Sequence, residues 1–291
     1  MRFLIFGSNG QLGRAFQDLS YAVTDEMIFC TRADCDITQP EEVERVLIDY
    51  APKVVINCAA YTKVDLAEEE QEVAYLINAT AVENVALLCK KYNALLIHIS
   101  TDYVFSSNVP RQFVESDQPN PLNVYGASKL EGEKAIRNVH SKHLIIRTSW
   151  VFGEHGHNFV KAMLGLALKR DSLSIVDDQH SAPTSARSLA EATYQMSHQA
   201  FAKDIEFGTY HFCNYPYVTW YEFASEIFKQ KAAIDESFIP PKLTQITSSE
   251  FPQNAERPSW SVLSYTHTEY TTQIAQTDWR NELINILSLS I

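Results

Sequence analysis

Residues 2–6 form a short apolar run that ends at Gly7, and Gly7-Ser8-Asn9-Gly10-Gln11-Leu12-Gly13 then opens a helix-compatible stretch through Leu19. This reads as strand, glycine turn, helix, and few folds place that unit first. Gly7 permits the tight turn, Gly10 lets backbone approach a diphosphate, and Gly13 allows the helix to pack close against the strand. The helix would then point its N-terminal amides at phosphate oxygens. A glycine triplet alone is often only a turn, and the spacing here is G-x-x-G-x-x-G rather than G-x-G-x-x-G. Its place directly after an N-terminal strand favours a dinucleotide site.

Residues 27–30 suit a second strand, and its end is where a carboxylate would hold the ribose 2′-hydroxyl of NAD; Thr31 and Arg32 stand there instead. A hydroxyl followed by a guanidinium suits a 2′-phosphate, so the sequence leans to NADPH, while Asp34 keeps NADH open. The alternative for Arg32 is a merely exposed charge. Asp36-Ile37 is placed to flank an adenine ring, and Pro40-Glu41-Glu42 looks like a helix start. Residues 54–60 read as a buried parallel strand running into Ala59 and Ala60, small enough for backbone to lie against a cofactor. A helix rich in glutamates at 68–72 is expected to be a solvated face. Residues 95–99 form the next strand and end in Ser100-Thr101-Asp102-Tyr103; His98, within the strand, reads as core. A further strand spans 144–150, after which the strict alternation weakens.

This pattern predicts an α/β chain with a doubly wound parallel-sheet Rossmann fold and a smaller C-terminal α/β substrate-binding part. The first part covers 1–150 with a returning segment at about 183–212, and the second covers 151–182 and 213–291. Ligands in such sheets gather at the carboxyl ends of the strands, so residues 100–103 share a crevice with Gly10 and Ala60.

Asn123-Val124-Tyr125-Gly126-Ala127-Ser128-Lys129 follows Pro119 and Pro121, and residues 130–136 continue a helical pattern. Tyr125 and Lys129 therefore fall one turn apart on one helix face. A phenol titrates near pH ~10 in water, and a neighbouring ammonium favours the phenolate, which readies Tyr125 to pass a proton to a carbonyl oxygen as hydride arrives at carbon. The bland alternative is a surface lysine beside a half-buried tyrosine.

Thirty-six acidic against 24 basic residues give a formal charge of −12, which argues against nucleic-acid binding. No apolar run approaches the ~18 residues of a membrane span and no cleavable signal pattern precedes the first strand, so the expected compartment is the cytoplasm. Five cysteines, odd in number and without C-x-x-C spacing, are expected to be reduced and mostly buried.

Taken in order, the glycine turn, Asn57-Cys58-Ala59-Ala60, Ser100-Thr101-Asp102-Tyr103-Val104-Phe105 and the Tyr125/Lys129 pair resemble the extended short-chain dehydrogenases/reductases. Arg147-Thr148-Ser149-Trp150-Val151-Phe152-Gly153, Val176-Asp177-Asp178-Gln179 with Ala182-Pro183-Thr184, and Arg257-Pro258 near Val262-Leu263 extend the likeness over nearly the whole chain, to the dTDP-4-dehydrorhamnose reductase family. The resemblance implies reduction, by NADPH or NADH, of the 4-keto group of a nucleotide-sugar, dTDP-4-dehydro-6-deoxy-L-mannose. It implies that Tyr125 is the proton donor, that Lys129 binds the nicotinamide ribose and tunes Tyr125, and that Thr101 bonds the sugar near its carbonyl. Asp102, Tyr103, Trp150 and Arg257 would contact substrate. Asn9, Gly10, Gln11 and Leu12 would hold the pyrophosphate, and Ala59, Ala60, Tyr61 and Thr62 would line the coenzyme groove.

Two departures stand out. Thr31 replaces the acid commonly found at the ribose. Family members can also form a homodimer through Mg²⁺ held by glutamates, one of them early in the first helix, but Arg14, Ala15 and Phe16 fill that turn and leave Glu191 as the remaining candidate ligand. Two rival readings are a reductase or epimerase of another nucleotide-linked 4-ketosugar and a non-catalytic nucleotide-binding subunit resembling the methionine adenosyltransferase beta subunit. The joint presence of Thr101, Tyr125 and Lys129 favours an enzyme.

Overall fold

The computed structural model describes residues 1–288, so the last three residues of the segment 213–291 lie outside the described residues. In the first half β1 (Arg2–Phe6), β2 (Glu26–Cys30), β3 (Val54–Asn57), β4 (Leu95–Thr101) and β5 (His143–Thr148) alternate with helices. These are α1 (Gln11–Ser20), α2 (Pro40–Tyr50), α3 (Val64–Ala67), α4 (Gln71–Tyr75), α5 (Ala81–Lys91) and α6 (Val124–Val139). Next come β6 (Val151–Phe152), α7 (Phe159–Ala167), β7 (Ser172–Val176), β8 (His180–Ser181), β9 (Thr184–Ser185), α8 (Ala186–Ala202) and β10 (Gly208–His211). The chain continues through β11 (Val218–Thr219), α9 (Trp220–Ile234), β12 (Lys242–Ile246), α10 (Thr266–Thr272) and α11 (Trp279–Ser288).

Six strands make one sheet in the order β10-β5-β4-β3-β1-β2, with every pairing parallel. The Rossmann-like parallel α/β fold expected from the sequence is therefore present, with a particular strand order. From β1 the chain steps out to β2 and then crosses back over β1 to β3, so the direction of winding reverses between β1 and β3, as in the flavodoxin-like doubly wound order. That reversal opens the crevice at the carboxyl ends of β1 and β3, where Gly7 meets Ala59. β3 itself stops at Asn57, earlier than the apolar run suggested, which frees residues 58–60 to line that crevice.

Alternation along each strand sorts the core into two layers. Phe3, Ile5, Val54, Ile56, Leu95, Ile97, Leu144 and Ile146 pack under α1 and α8 through Leu12, Phe16, Leu189 and Met196. Leu4, Phe6, Val55, Leu96 and Ile145 pack on the other face against Val43 and Leu47 of α2, Val82 and Val85 of α5, and Ile136 of α6. Outside this sheet a separate cluster joins Phe152, Val160, Ile175, Phe223, Phe228, Trp279 and Leu283. β7 pairs with β12, β8 with β11 and β6 with β9 in small ladders over that cluster.

The run Gln71–Lys91 is the exception to the expectation that no segment reaches membrane-spanning length. It combines α4, a π turn at Leu76–Thr80 and α5 over 21 residues, and an 18-residue window of it has a mean hydropathy of 1.2. Val82, Val85, Ala86 and Cys89 of this run are nonetheless buried in the core beneath the sheet, so one face of it packs within the protein. The π turn meets α6 closely: a Cβ added at Gly132 would lie 2.1 Å from the Asn78 carbonyl oxygen.

This contact predicts that Gly132→Ala lowers stability by about 1–3 kcal/mol in urea titration, because backbone must shift to admit the methyl. Gly165→Ala in α7, where an added Cβ meets nothing within 4 Å, should instead raise stability by roughly 0.5–1 kcal/mol through helix propensity. Equal effects from the two variants would refute the close contact.

Candidate active site

Helix α6 begins where the sequence places it. Asn123 is its N-cap, its Oδ1 accepting from the Gly126 amide at 2.8 Å while its Nδ2 donates to the Glu256 carbonyl at 2.8 Å. Gly126 follows Tyr125 because no side chain fits: a Cβ there would sit 2.2 Å from the Tyr103 carbonyl oxygen. Two turns further on, Glu133 is fully buried, and Arg147 of β5 grips both of its oxygens, Nε at 2.9 Å and Nη2 at 2.7 Å. Ser100 of β4 adds a 2.6 Å hydrogen bond to the same carboxylate. Burial opposes the Glu133 charge, yet the Arg147 hydrogen bonds and charge hold its carboxyl below the usual range.

Tyr125 and Lys129 are one turn apart on this anchored helix. Desolvation pushes the Tyr125 phenol up to about 12, with the Thr101 hydroxyl pulling it down and the Asp102 charge adding to the rise. Lys129 is 2% exposed, and desolvation brings its amine down to about 8. Its Nζ donates to the Ile99 carbonyl at 2.7 Å and lies 3.1 Å from His98 Nε2. The Lys129 amine thus rests on β4 rather than in a direct hydrogen bond to the Tyr125 phenol. Tyr103 packs edge-on against Tyr125 with ring centroids 5.8 Å apart.

Asp102 behaves differently from a side chain offered to a ligand. It is buried, with Oδ2 accepting from Ser181 at 2.9 Å and Ser261 at 2.6 Å and Oδ1 from Thr101 at 3.2 Å. Desolvation raises its carboxyl to about 6 against the pull of those hydroxyls. Its carboxylate joins the end of β4 to residues 181 and 261.

On the other side of the β1/β3 reversal a cavity of about 300 Å³ is lined by Gly7, Asn9, Gly10, Arg32, Asp36, Ile37, Ala59 and Ala60. No side chain caps the first turn of α1 and no acid lies in it, so its amides remain available to an anion. A Cβ added at Gly10 meets only the Gly7 oxygen, at 3.2 Å, whereas one at Gly7 or Gly13 collides with backbone at 2.6 or 2.5 Å. Gly7, at φ +72, and Gly13 therefore close the turn, and Gly10 faces the cavity. This cradle fits a dinucleotide. Arg32 is exposed and pairs through Nε with Asp36 at 2.9 Å, whereas the Thr31 hydroxyl is taken by Asp34 at 2.7 Å.

The remaining expected coenzyme contacts, Thr62 apart, are engaged within the protein. Gln11 donates to the Val151 carbonyl at 2.9 Å and accepts from Asn158 at 2.7 Å. Leu12 is buried in the core, Tyr61 donates its hydroxyl to Glu70 at 2.7 Å, and Thr62 is exposed.

Beyond the cleft, Trp150 adopts φ 43, a strained value for a bulky side chain, and stacks on Trp220 at 3.5 Å. Arg257 pairs with Asp65 of α3 at 2.6 Å and with Gln253 at 2.6 Å. Of the glutamates expected to form a solvated face, Glu69, Glu70 and Glu72 are exposed, and three of the run also act as ties where the helix breaks between Ala67 and Gln71. Glu68 accepts from the Val124 amide at 2.8 Å, Glu69 from Asn254 at 3.0 Å and Glu70 from Tyr61. Glu191, the candidate for Mg²⁺, is paired with Arg187 at 3.0 Å on the same helix, an arrangement that lends a metal site no support. Sequence reasoning passed over Glu133 and Asp65. A Glu one turn past the Tyr-x-x-x-Lys step, in phase with it, was the one signal available for the first.

Comparison with known proteins follows the same outline. The RmlD substrate binding domain profile matches residues 1–290. A relative named dTDP-4-dehydrorhamnose reductase from Aggregatibacter actinomycetemcomitans is 38% identical over 290 residues, covering 98% of both chains. The crystal structure of dTDP-4-dehydrorhamnose reductase from Bacillus anthracis str. Ames in complex with NADP superposes with a TM-score of 0.91 at 34% identity, covering 99% of both chains. A UDP-glucose 4-epimerase from Thermus thermophilus in complex with NAD, 18% identical with a TM-score of 0.77 over the full length of each chain, shares the fold alone. On the full-length profile match and the identity shared along it, the chain belongs to the RmlD substrate binding domain family.

Proposed function

We propose that this chain is an NAD(P)H-dependent reductase that converts dTDP-4-dehydrorhamnose to dTDP-rhamnose by reducing its 4-keto group. The observation that carries the reading is the placement of Tyr125, Lys129 and Thr101 at the carboxyl end of β4, beside a cavity built for a dinucleotide, in a chain whose relatives over nearly full length bear that name. Bound NAD(P)H supplies the hydride. Tyr125 gives its phenolic proton to the ketone oxygen, and burial of that phenol keeps the proton in place until negative charge develops on the oxygen. The Lys129 charge, one turn away, eases formation of the phenolate. Thr101, already acting on the Tyr125 phenol, orients the carbonyl by a hydrogen bond. Gly10 and the amides of α1 hold the diphosphate, while Asp36, Ile37, Ala59 and Ala60 enclose the adenosine half. On the substrate side Tyr103, Trp150 and Arg257 hold the nucleotide-sugar, Arg257 exchanging its Asp65 partner for a phosphate oxygen. Asp102 supports the site from within by fixing the end of β4.

Coenzyme choice belongs to the same proposal. Arg32 lines the cavity and is free in all but its Nε contact with Asp36, so its remaining N–H groups can pair a 2′-phosphate.

General acid catalysis contributes about 10²–10⁴ in rate, so Tyr125→Phe should lower turnover by that factor with little change in the coenzyme dissociation constant. Lys129→Met should damage both quantities, and Thr101→Val should lower turnover by roughly tenfold or less, the worth of one hydrogen bond. Tyr125→Phe with near-normal ketosugar turnover would place the proton donor elsewhere.

Arg32→Ala should raise the KM for NADPH by roughly tenfold or more while leaving that for NADH nearly unchanged, since the lost pairing is to the 2′-phosphate alone. A parallel loss with both coenzymes removes the basis for the preference.

Truncating Arg257 or Trp150 to Ala should raise the ketosugar KM, by about 10–100-fold for the charged contact, with coenzyme affinity retained. Substrate affinity unchanged in both variants excludes them from the nucleotide-sugar site.

A further inference from the structure

Lys129 sits on a hydrogen-bond chain whose donors and acceptors can be counted. The Asn57 amide is fixed in orientation, because its Oδ1 accepts from the Ala59 backbone N–H at 3.1 Å, and a backbone amide is only ever a donor. Asn57 Nδ2 therefore faces His98 Nδ1, 3.3 Å away, and must donate to it. A neutral ring accepting at Nδ1 carries its own proton on Nε2. That N–H points at Lys129 Nζ, 3.1 Å distant. Two donors then meet wherever Lys129 is an ammonium. Either the amine is neutral and accepts, or the ring changes tautomer and turns its Nδ1–H against the Asn57 NH2. Both outcomes weaken the charged form, and burial shields the pair from bulk solvent, His98 and Lys129 being 0% and 2% exposed.

We propose that Asn57 and His98 are positioning residues acting through Lys129: by fixing the imidazole tautomer they hold the amine poised between its charged and neutral forms, ready to charge when a phenolate forms on Tyr125. The proposal rests on the reading of Tyr125 and Lys129 given above. It explains why Lys129 is seated on His98 and the Ile99 carbonyl rather than beside a carboxylate.

The groups around the amine are consistent with this assignment. Desolvation brings Lys129 down to about 8, and burial with the Lys129 charge drives His98 well below the ordinary imidazole range, so the ring is neutral. Glu133, on the same helix, favours the ammonium, but its oxygens are gripped by Arg147. Cys58, at the end of β3, is raised to about 12 by burial and stays a thiol. Asp102, from the turn after β4, acts on Tyr125.

The test is a pH titration of the lysine ε-carbon NMR resonances in the full, coenzyme-free chain, with the Lys129 signal identified by its loss in Lys129→Met. The wild-type midpoint is expected near pH 8. His98→Gln can turn its amide oxygen to the amine, and Asn57→Asp accepts a proton from Nδ1 and so frees Nε2 as an acceptor; each should raise the midpoint by about one unit or more. His98→Gln adds no charge, which separates the tautomer effect from the electrostatic pull of a new aspartate. Unmoved midpoints in variants that keep the wild-type circular dichroism and melting transition overturn the proposal, as does a wild-type midpoint at the ordinary lysine value. Because neither coenzyme nor ketosugar enters the measurement, absent reductase activity would defeat the proposed function and leave this result standing.

Discussion

The bidentate pair between Glu133 and Arg147 holds the working helix in register with the sheet. Glu133 is fully buried, and Arg147 reaches it from β5 while Ser100 reaches it from β4, so three elements meet on one carboxylate. A buried ion pair adds little net stability once desolvation is counted, but removing one partner leaves a bare charge and costs roughly 3–5 kcal/mol. Its effect is therefore geometric. Because Lys129 and Tyr125 lie one and two turns before Glu133 on α6, fixing that carboxylate fixes the depth at which amine and phenol reach the strand ends. Arg147 is in turn held in place by Phe105, whose ring lies 4.8 Å beneath its guanidinium.

Carboxylates also bind the two halves of the chain to each other. Asp102 collects hydroxyls from residues 181 and 261, and Asp65 accepts the amides of Asn254 and Ala255 at 3.2 Å each while pairing with Arg257. Glu69 takes the Asn254 side chain. The segment that follows β12 is thus tied to the sheet half by acids that come from loops and helix ends. Three acids of a chain of −12 net charge, Asp65, Glu69 and Asp102, are in this way turned toward internal donors, while the uncapped amides of α1 face the cleft.

The strands were legible because a buried parallel strand is a largely apolar run, as at residues 3–6 and 95–99. The glycine turn and the start of α6 were legible too, since Gly13, Asn123 and Gly126 answer steric and capping demands that arise within a few residues. What escaped is what distance in sequence conceals. Nothing near Glu68 reveals that it caps α6 56 residues later, and nothing near Asp102 reveals two serines 79 and 159 residues away. His98 was read as core, correctly for its burial, but its ring nitrogens find Asn57 and Lys129 only once β3, β4 and α6 are assembled. The strand order depends on where the crossover after α2 returns, which apolar periodicity does not encode.

The π turn at Leu76–Thr80 also alters how the run Gln71–Lys91 reads. A π turn inserts one residue relative to the α repeat, so the helix slips in phase by roughly a third of a revolution at that point. Ala74 is buried on α4, and Val82, Val85 and Cys89 are buried on α5 beyond the π turn. A mean hydropathy is blind to phase: it counts the apolar side chains of the run without regard to the face they occupy. The apparent membrane-like character of the run is thus a matter of its composition, while Ala74, Val82, Val85 and Cys89 are buried inside the protein.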